Sequence, residues 1–156
     1  MRQIWTFLVI IISILTLGCS SKFMHEEKLI TGIYCGNCPI RNCSPVLIIT
    51  NECTRIDTSD DFFFGDGSKM SEPEESVRVS DSLHQQIKKL LNEVPSSFNG
   101  LDERIGCPDC IDQCGYYISN GVHSSRIDPH ECEKEIEVFM QKVKKAVKLC
   151  KLEILE

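Results

Sequence analysis

The strongest constraint on this chain is the apolar run at its N-terminus. Arg2 supplies a short basic start, and residues 4–17 are then almost entirely apolar. A run of this length is too short to cross a bilayer, which needs about 20 apolar residues. It has the length and order of the hydrophobic core of a secretory signal peptide, which a cleavage site follows. We therefore predict that residues 1–18 are a signal peptide and that the rest of the chain is exported.

The residues that close this run indicate the kind of signal. Gly18-Cys19 directly follows the apolar core, an arrangement that resembles the lipobox of bacterial lipoproteins. The resemblance implies that Cys19 is acylated, begins the mature protein and holds it in the membrane. Thr16 and Leu17 depart from the preferred lipobox residues, so an ordinary secretory signal and an uncleaved anchor stay open. Residues 19–31 are expected to be a polar tether, and the predicted location is the bacterial cell envelope, on the outer membrane or cell surface rather than the inner membrane.

Composition and motifs limit what the exported part can do. The chain has 156 residues, of which 26% are charged and 42% hydrophobic, as in one ordinary folded domain. The net charge of −6 argues against a nucleic-acid partner. Phosphate-binding loops, hydrolase elbows and zinc-protease motifs do not occur in the sequence. We therefore predict a single domain over residues 32–156, with no catalytic residue and no cofactor, and with an unidentified protein or glycan as a possible ligand.

Ten cysteines are the second strong feature of the sequence. An exported chain meets an oxidising compartment, where disulfides form and persist. Cys150 lies on the apolar stripe of the last predicted helix, so we predict that it is a free thiol. Eight further cysteines permit 105 pairings, and their connectivity stays open. These eight disulfide candidates are Cys35, Cys38, Cys43, Cys53, Cys107, Cys110, Cys114 and Cys132.

Two Cys-x-x-Cys pairs, Cys35/Cys38 and Cys107/Cys110, permit two other interpretations. Four thiolates from two such pairs can hold zinc, although the pairs are much farther apart than in a zinc ribbon. Either pair could instead exchange electrons with other thiols, a chemistry that favours a cysteine at a helix N-terminus. Pro39 excludes a helix through the first pair. Structural disulfides are the preferred interpretation, and no metal ligand is assigned.

The remaining sequence divides into two hairpins, each followed by an amphipathic helix. Two β-rich runs flank Asn51-Glu52, and two more flank Asn120-Gly121, which suits a tight turn. The first helix is predicted over residues 82–93 with Ser82 as its N-cap, and the second begins around Asp128-Pro129. The predicted fold is α+β, with an antiparallel sheet of about four strands in the order ββαββα and two helices packed on one face.

The cysteine segments also carry a resemblance to a family. Residues 35–39 read Cys-Gly-Asn-Cys-Pro, and residues 105–110 read Ile-Gly-Cys-Pro-Asp-Cys. Arg126-Ile127-Asp128 then precedes the terminal helix. Over roughly residues 30–152 the chain resembles a family of small bacterial lipoproteins whose domain has no established function. The resemblance implies export, anchoring and a small α+β domain, and it implies no activity.

Taken together, these features favour a membrane-anchored lipoprotein with a disulfide-stabilised, non-enzymatic binding or envelope-structural domain. An extracytoplasmic thiol–disulfide oxidoreductase and a zinc-binding module are the alternatives.

Overall fold

Seven strands and two helices form the computed structural model, which describes residues 27–35, 44–57, 76–108, 110 and 113–155. The helices are α1 (Asp81–Ile87) and α2 (Lys134–Ile154), and two short 3₁₀ helices, Lys88–Asn92 and Ser96–Gly100, follow α1. The fold is therefore α+β. The strands are β1 (Leu29–Cys35), β2 (Val46–Ile49), β3 (Thr54–Asp57), β4 (Ser76–Arg78), β5 (Arg104–Ile105), β6 (Cys114–Ser119) and β7 (Ser124–Ile127).

The sheet is larger than the sequence predicted. Its strand order is β4-β3-β2-β1-β6-β7-β5, and all neighbours are antiparallel except β5 and β7. The prediction of about four strands in the order ββαββα is wrong, because β1, β4 and β5 were not foreseen and the order is ββββαβββα. The two predicted hairpins are present as β2–β3 and β6–β7.

The missed strand β1 lies at the centre of the sheet. It begins at Leu29, inside the segment expected to be a polar tether, and pairs with β2 on one side and β6 on the other. Leu29, Ile30 and Thr31 are all buried, so β1 is covered on both faces. A strand covered on both faces lacks the alternation of polar and apolar residues that marks a half-buried strand. Gly32 and Cys35 also lie in this strand, and their segment reads as the start of a loop in the sequence.

Both helices begin at residues other than those predicted. The side chain of Ser80, not Ser82, caps α1 by accepting a hydrogen bond from the Leu83 N–H, 3.3 Å away. The second helix begins at Lys134 rather than near Asp128. The Asp128 carboxylate instead accepts hydrogen bonds from the backbone N–H groups of His130 (2.8 Å) and Cys107 (3.3 Å). Asp128 therefore connects two loops and does not cap a helix.

The main core lies between the helices and one face of the sheet, as predicted. The side chains of α1, α2 and the second 3₁₀ helix meet those of β1, β2, β3, β6 and β7 in one cluster. Phe98, Phe139 and Met140 are among its largest fully buried members. Ile30, Val46, Ile48 and Tyr117 form a second cluster. These residues alternate with main-core residues along their strands, so they lie on the opposite face.

Candidate functional site

A disulfide joins the two central strands at one end of the sheet. Cys35 closes β1 and Cys114 opens β6, and the two residues stand directly opposite each other in the register. Their Cα atoms are 4.1 Å apart and their positions are 79 residues apart in the chain. The Cys35 N–H donates a hydrogen bond to Oγ of buried Ser44, 3.1 Å away. This end of β1 is therefore fastened to β6 and to the residues that lead into β2.

A second disulfide, Cys107–Cys110, lies in the connection between β5 and β6. Its Cα atoms are 5.3 Å apart, and the Cys110 N–H donates a hydrogen bond to the Cys107 carbonyl oxygen, 3.2 Å away. Gly106 precedes it with φ of 65°, a conformation that favours glycine. The loop therefore turns sharply as it leaves β5.

Pro108 holds this loop against the start of β6. The proline is buried, and a Cβ atom built on Gly115 would lie only 2.3 Å from the Pro108 Cβ. Because Gly115 follows Cys114, the close contact brings the two disulfides to the same end of the sheet. We call this region the cysteine-rich end and define it by Cys35, Cys107, Cys110 and Cys114.

Two charged side chains contact Cys107, and sequence reasoning missed both of them. Arg104 directs its Nη2 atom to the Cys107 sulfur at 3.7 Å, and Asp128 Oδ2 accepts the Cys107 N–H at 3.3 Å. The local signal for Arg104 was present, since a cation three residues before a cysteine can reach its sulfur. Asp128 is 21 residues away in the sequence, and only the pairing of β5 with β7 brings it near Cys107.

The cysteines predicted to form disulfides fall into three groups. Cys35, Cys107, Cys110 and Cys114 are in disulfides, with Cys35 joined to Cys114 and Cys107 joined to Cys110. Cys53 and Cys132 are free thiols, which corrects the prediction that both are paired. Cys38 and Cys43 lie outside the described residues, as do the predicted signal peptide 1–18 and Cys19.

Cys53 and Cys132 are too far from each other to form a disulfide. Cys53 lies in the turn between β2 and β3, where Oγ1 of Thr50 is 3.9 Å from its sulfur. Cys132 lies just before α2, on the side of β5 and β7, and its thiol donates to the Pro129 carbonyl oxygen at 3.3 Å. Strands β1 and β6 both lie between β2 and β7 in the sheet, and neighbouring strands are about 4.8 Å apart. The two positions are therefore farther apart than the limit of about 7 Å between Cα atoms that a disulfide allows.

Cys150, predicted to be a free thiol, is free and buried in the main core. Burial raises the pKa of its thiol to about 12, and the negative charge of Glu153 adds to the rise. Burial, together with the Glu137 carboxylate, also raises the pKa of the Cys132 thiol. Because the thiolate is the nucleophile, neither thiol is activated for chemistry at neutral pH.

An open depression lies beside α2 in the part of the chain that the structure describes. It has a volume of about 310 Å³ and is lined mainly by Ile33, Pro45 and residues from the C-terminal half of α2. Lys144 borders it, and its Nζ atom donates to the Tyr116 hydroxyl at 3.2 Å while lying 4.9 Å from the centre of that ring. The depression combines apolar and cationic groups, which suits contact with a partner better than acid–base catalysis.

The residues that the structure describes contain neither a cluster suited to a metal ion nor a helix suited to span a membrane. Within those residues, no group of three or more His, Cys, Asp or Glu side chains is placed to hold a metal ion. None of the helices among them has the length and apolar character needed to cross a membrane.

Comparison with known proteins adds no assignment: no family model matches the chain, and no curated protein or solved structure matches it either.

Proposed function

We propose that the chain is a lipid-anchored protein of the bacterial cell envelope, whose disulfide-stabilised domain has a binding or structural role rather than an enzymatic one. The Cys35–Cys114 disulfide carries this proposal. A bond of this kind forms and persists in oxidising compartments and is rare in the cytosol. It therefore agrees with the export that residues 1–18 predict.

The two disulfides differ in what they contribute to stability. A cross-link between residues 79 positions apart removes much of the freedom of the unfolded chain and is worth about 4 kcal/mol. The same relation gives about 2 kcal/mol for Cys107–Cys110, whose members are 3 positions apart. Among the disulfides of the described residues, Cys35–Cys114 is therefore the main structural staple.

The position of β1 limits how far the domain can lie from the membrane. Leu29, where β1 begins, is ten positions after Cys19. A fully extended chain of that length reaches about 35 Å at most. The anchor therefore attaches to the Leu29 end of β1, and the cysteine-rich end lies at the opposite end of the strand. The cysteine-rich end is thus away from the point of attachment and open to a partner in the envelope.

A thiol map of the full-length chain tests this proposal against the zinc alternative. The protein is extracted from bacterial membranes in detergent, alkylated with N-ethylmaleimide before and after denaturation, and mapped by peptide mass without reduction. We expect linked Cys35–Cys114 and Cys107–Cys110 peptides and no bound zinc. Cys150 should react only after denaturation, because it is buried and its pKa is about 12.

The Cys150→Ala variant is the matched control, since it should lose only the alkylation that requires denaturation. Stoichiometric zinc together with reduced Cys107 and Cys110 would contradict the proposal and support the metal-binding module.

A further inference from the structure

The Cys107–Cys110 disulfide differs from Cys35–Cys114 in its surroundings. Cys110 and Cys114 are both exposed, so access by a reagent does not distinguish the two bonds. Paired strands hold Cys35 and Cys114 opposite each other, whereas Cys107 and Cys110 lie in a loop. Their bond closes a loop with only two intervening residues, so it restricts little of the unfolded chain. Stabilisation of the fold therefore accounts for this second disulfide less well than for Cys35–Cys114.

A cation lies beside one sulfur of this pair. The Arg104 Nη2 atom is 3.7 Å from the Cys107 sulfur. A neighbouring guanidinium favours the thiolate form of a cysteine, and a thiol of low pKa leaves faster in disulfide exchange. Cys107 is half-buried and Cys110 is exposed. An incoming thiolate therefore meets the Cys110 sulfur, and Cys107 is placed to leave beside the cation.

The contacts of the loop do not depend on the disulfide itself. The Cys107 N–H is bonded to Asp128, and buried Pro108 packs against Gly115. Neither contact involves a sulfur atom, so the opening of the sulfur–sulfur bond does not itself break them. Cys107 thus stays next to Arg104, and the loop needs no unfolding to complete the exchange.

We propose that Cys107–Cys110 is a thiol–disulfide exchange site that accepts two electrons from a dithiol on another envelope protein. The first partner thiolate attacks the Cys110 sulfur, which forms a mixed disulfide and releases Cys107 as a thiolate that takes up a proton. The second partner thiolate then attacks the first partner sulfur, which releases Cys110 as a thiolate that is also protonated. The partner leaves with a disulfide, and each chain accepts two electrons. Because each chain reacts once and is not regenerated in these steps, the exchange adds to the proposed binding role without making the domain an enzyme. It does not require the lipid on Cys19.

Reduced glutathione is the probe for the first step. The oxidised full-length chain in detergent is mixed with glutathione at pH 7, quenched with acid, alkylated and mapped by peptide mass. We expect Cys107–Cys110 to open at least about tenfold faster than Cys35–Cys114, with the first glutathione adduct on Cys110. Equal opening rates of the two disulfides, or a first adduct on Cys107, would overturn the proposal.

Substitution of Arg104 tests the role of the cation. Arg104→Gln should slow the opening of Cys107–Cys110 about threefold, because the leaving thiolate loses its cation, whereas Arg104→Lys should keep most of the rate. The opening of Cys35–Cys114 in the same variants reports whether the fold is intact. Arg55→Gln is the matched control, since Arg55 is exposed on β3 and donates to the Ser76 carbonyl oxygen. If Arg104→Gln opens at the wild-type rate, the assignment of Cys107 as the leaving thiol is wrong.

Discussion

Replacing Cys35 and Cys114 together by serine is expected to lower the free energy of unfolding by about 4 kcal/mol. The bond connects positions 79 residues apart and joins the two strands at the centre of the sheet. Its loss frees a long segment of the unfolded chain, while β1 and β6 keep their backbone pairing in the folded state. Urea denaturation of wild type and double variant under non-reducing conditions measures the difference.

The Cys107→Ser/Cys110→Ser double variant is the control for this result. It removes the same number of sulfur atoms but a much shorter cross-link, so its cost is expected to be about 2 kcal/mol. Dithiothreitol should destabilise the wild type by the sum of both contributions, and the Cys35→Ser/Cys114→Ser variant by only about 2 kcal/mol, the contribution of its remaining Cys107–Cys110 bond. Equal losses in the two double variants would mean that Cys35–Cys114 is not the main staple.

Gly32→Ala is expected to destabilise the domain by about 3 kcal/mol, at the upper end of the usual cost of overpacking. Gly32 lies in the middle of β1, where a Cβ atom would be 2.3 Å from the Pro45 carbonyl oxygen and 2.9 Å from the Val46 Cα. Both contacts are with backbone atoms of the neighbouring chain segment, so no side-chain rotation relieves them. The strands β1 and β2 would have to move apart. Thermal and urea unfolding of the variant give the size of the loss.

Gly100→Ala is the matched control for the glycine substitution. A Cβ atom on Gly100 meets nothing within 4 Å, and the residue closes the second 3₁₀ helix. Its substitution should change the free energy of unfolding by no more than about 0.5 kcal/mol. If Gly32→Ala is as well tolerated as Gly100→Ala, the close approach of β1 to Pro45 is not maintained in solution.

The parts of the fold that could be predicted from the sequence are those with local signals. The hairpins β2–β3 and β6–β7 each combine a β-rich run with a polar turn, and Gly121 has the positive φ that its turn predicted. The central strand β1 has no such signal, because burial of both its faces removes the alternation of polar and apolar residues. β4 and β5 have only 3 and 2 residues, too few to show any period.

The cysteine pairing could not be predicted because it depends on contacts distant in the sequence. Cys35 faces Cys114 only because β1 and β6 are neighbours, and that pairing spans most of the domain. The sequence left the connectivity open, because each Cys-x-x-Cys pair could be bridged within its own loop or to the other loop. The structure contains both kinds of bond, since Cys35 is joined to Cys114 and Cys107 to Cys110. The contact of Asp128 with Cys107 could not be predicted for the same reason. Its sequence pattern indicated a helix N-cap and not a hydrogen bond to a residue 21 positions away.

Fractionation of bacterial cells that express the Cys19→Ala variant tests the central claim, that this domain is held in the envelope by a lipid on Cys19. The wild-type chain should sediment with membranes and partition into detergent, since acyl chains bind a bilayer at about 0.8 kcal/mol per buried methylene. The Cys19→Ala chain should appear in the soluble fraction, while Cys150→Ala, which removes a buried free thiol, should stay with the membranes. A Cys19→Ala chain that remains in the membrane fraction would contradict the lipid anchor.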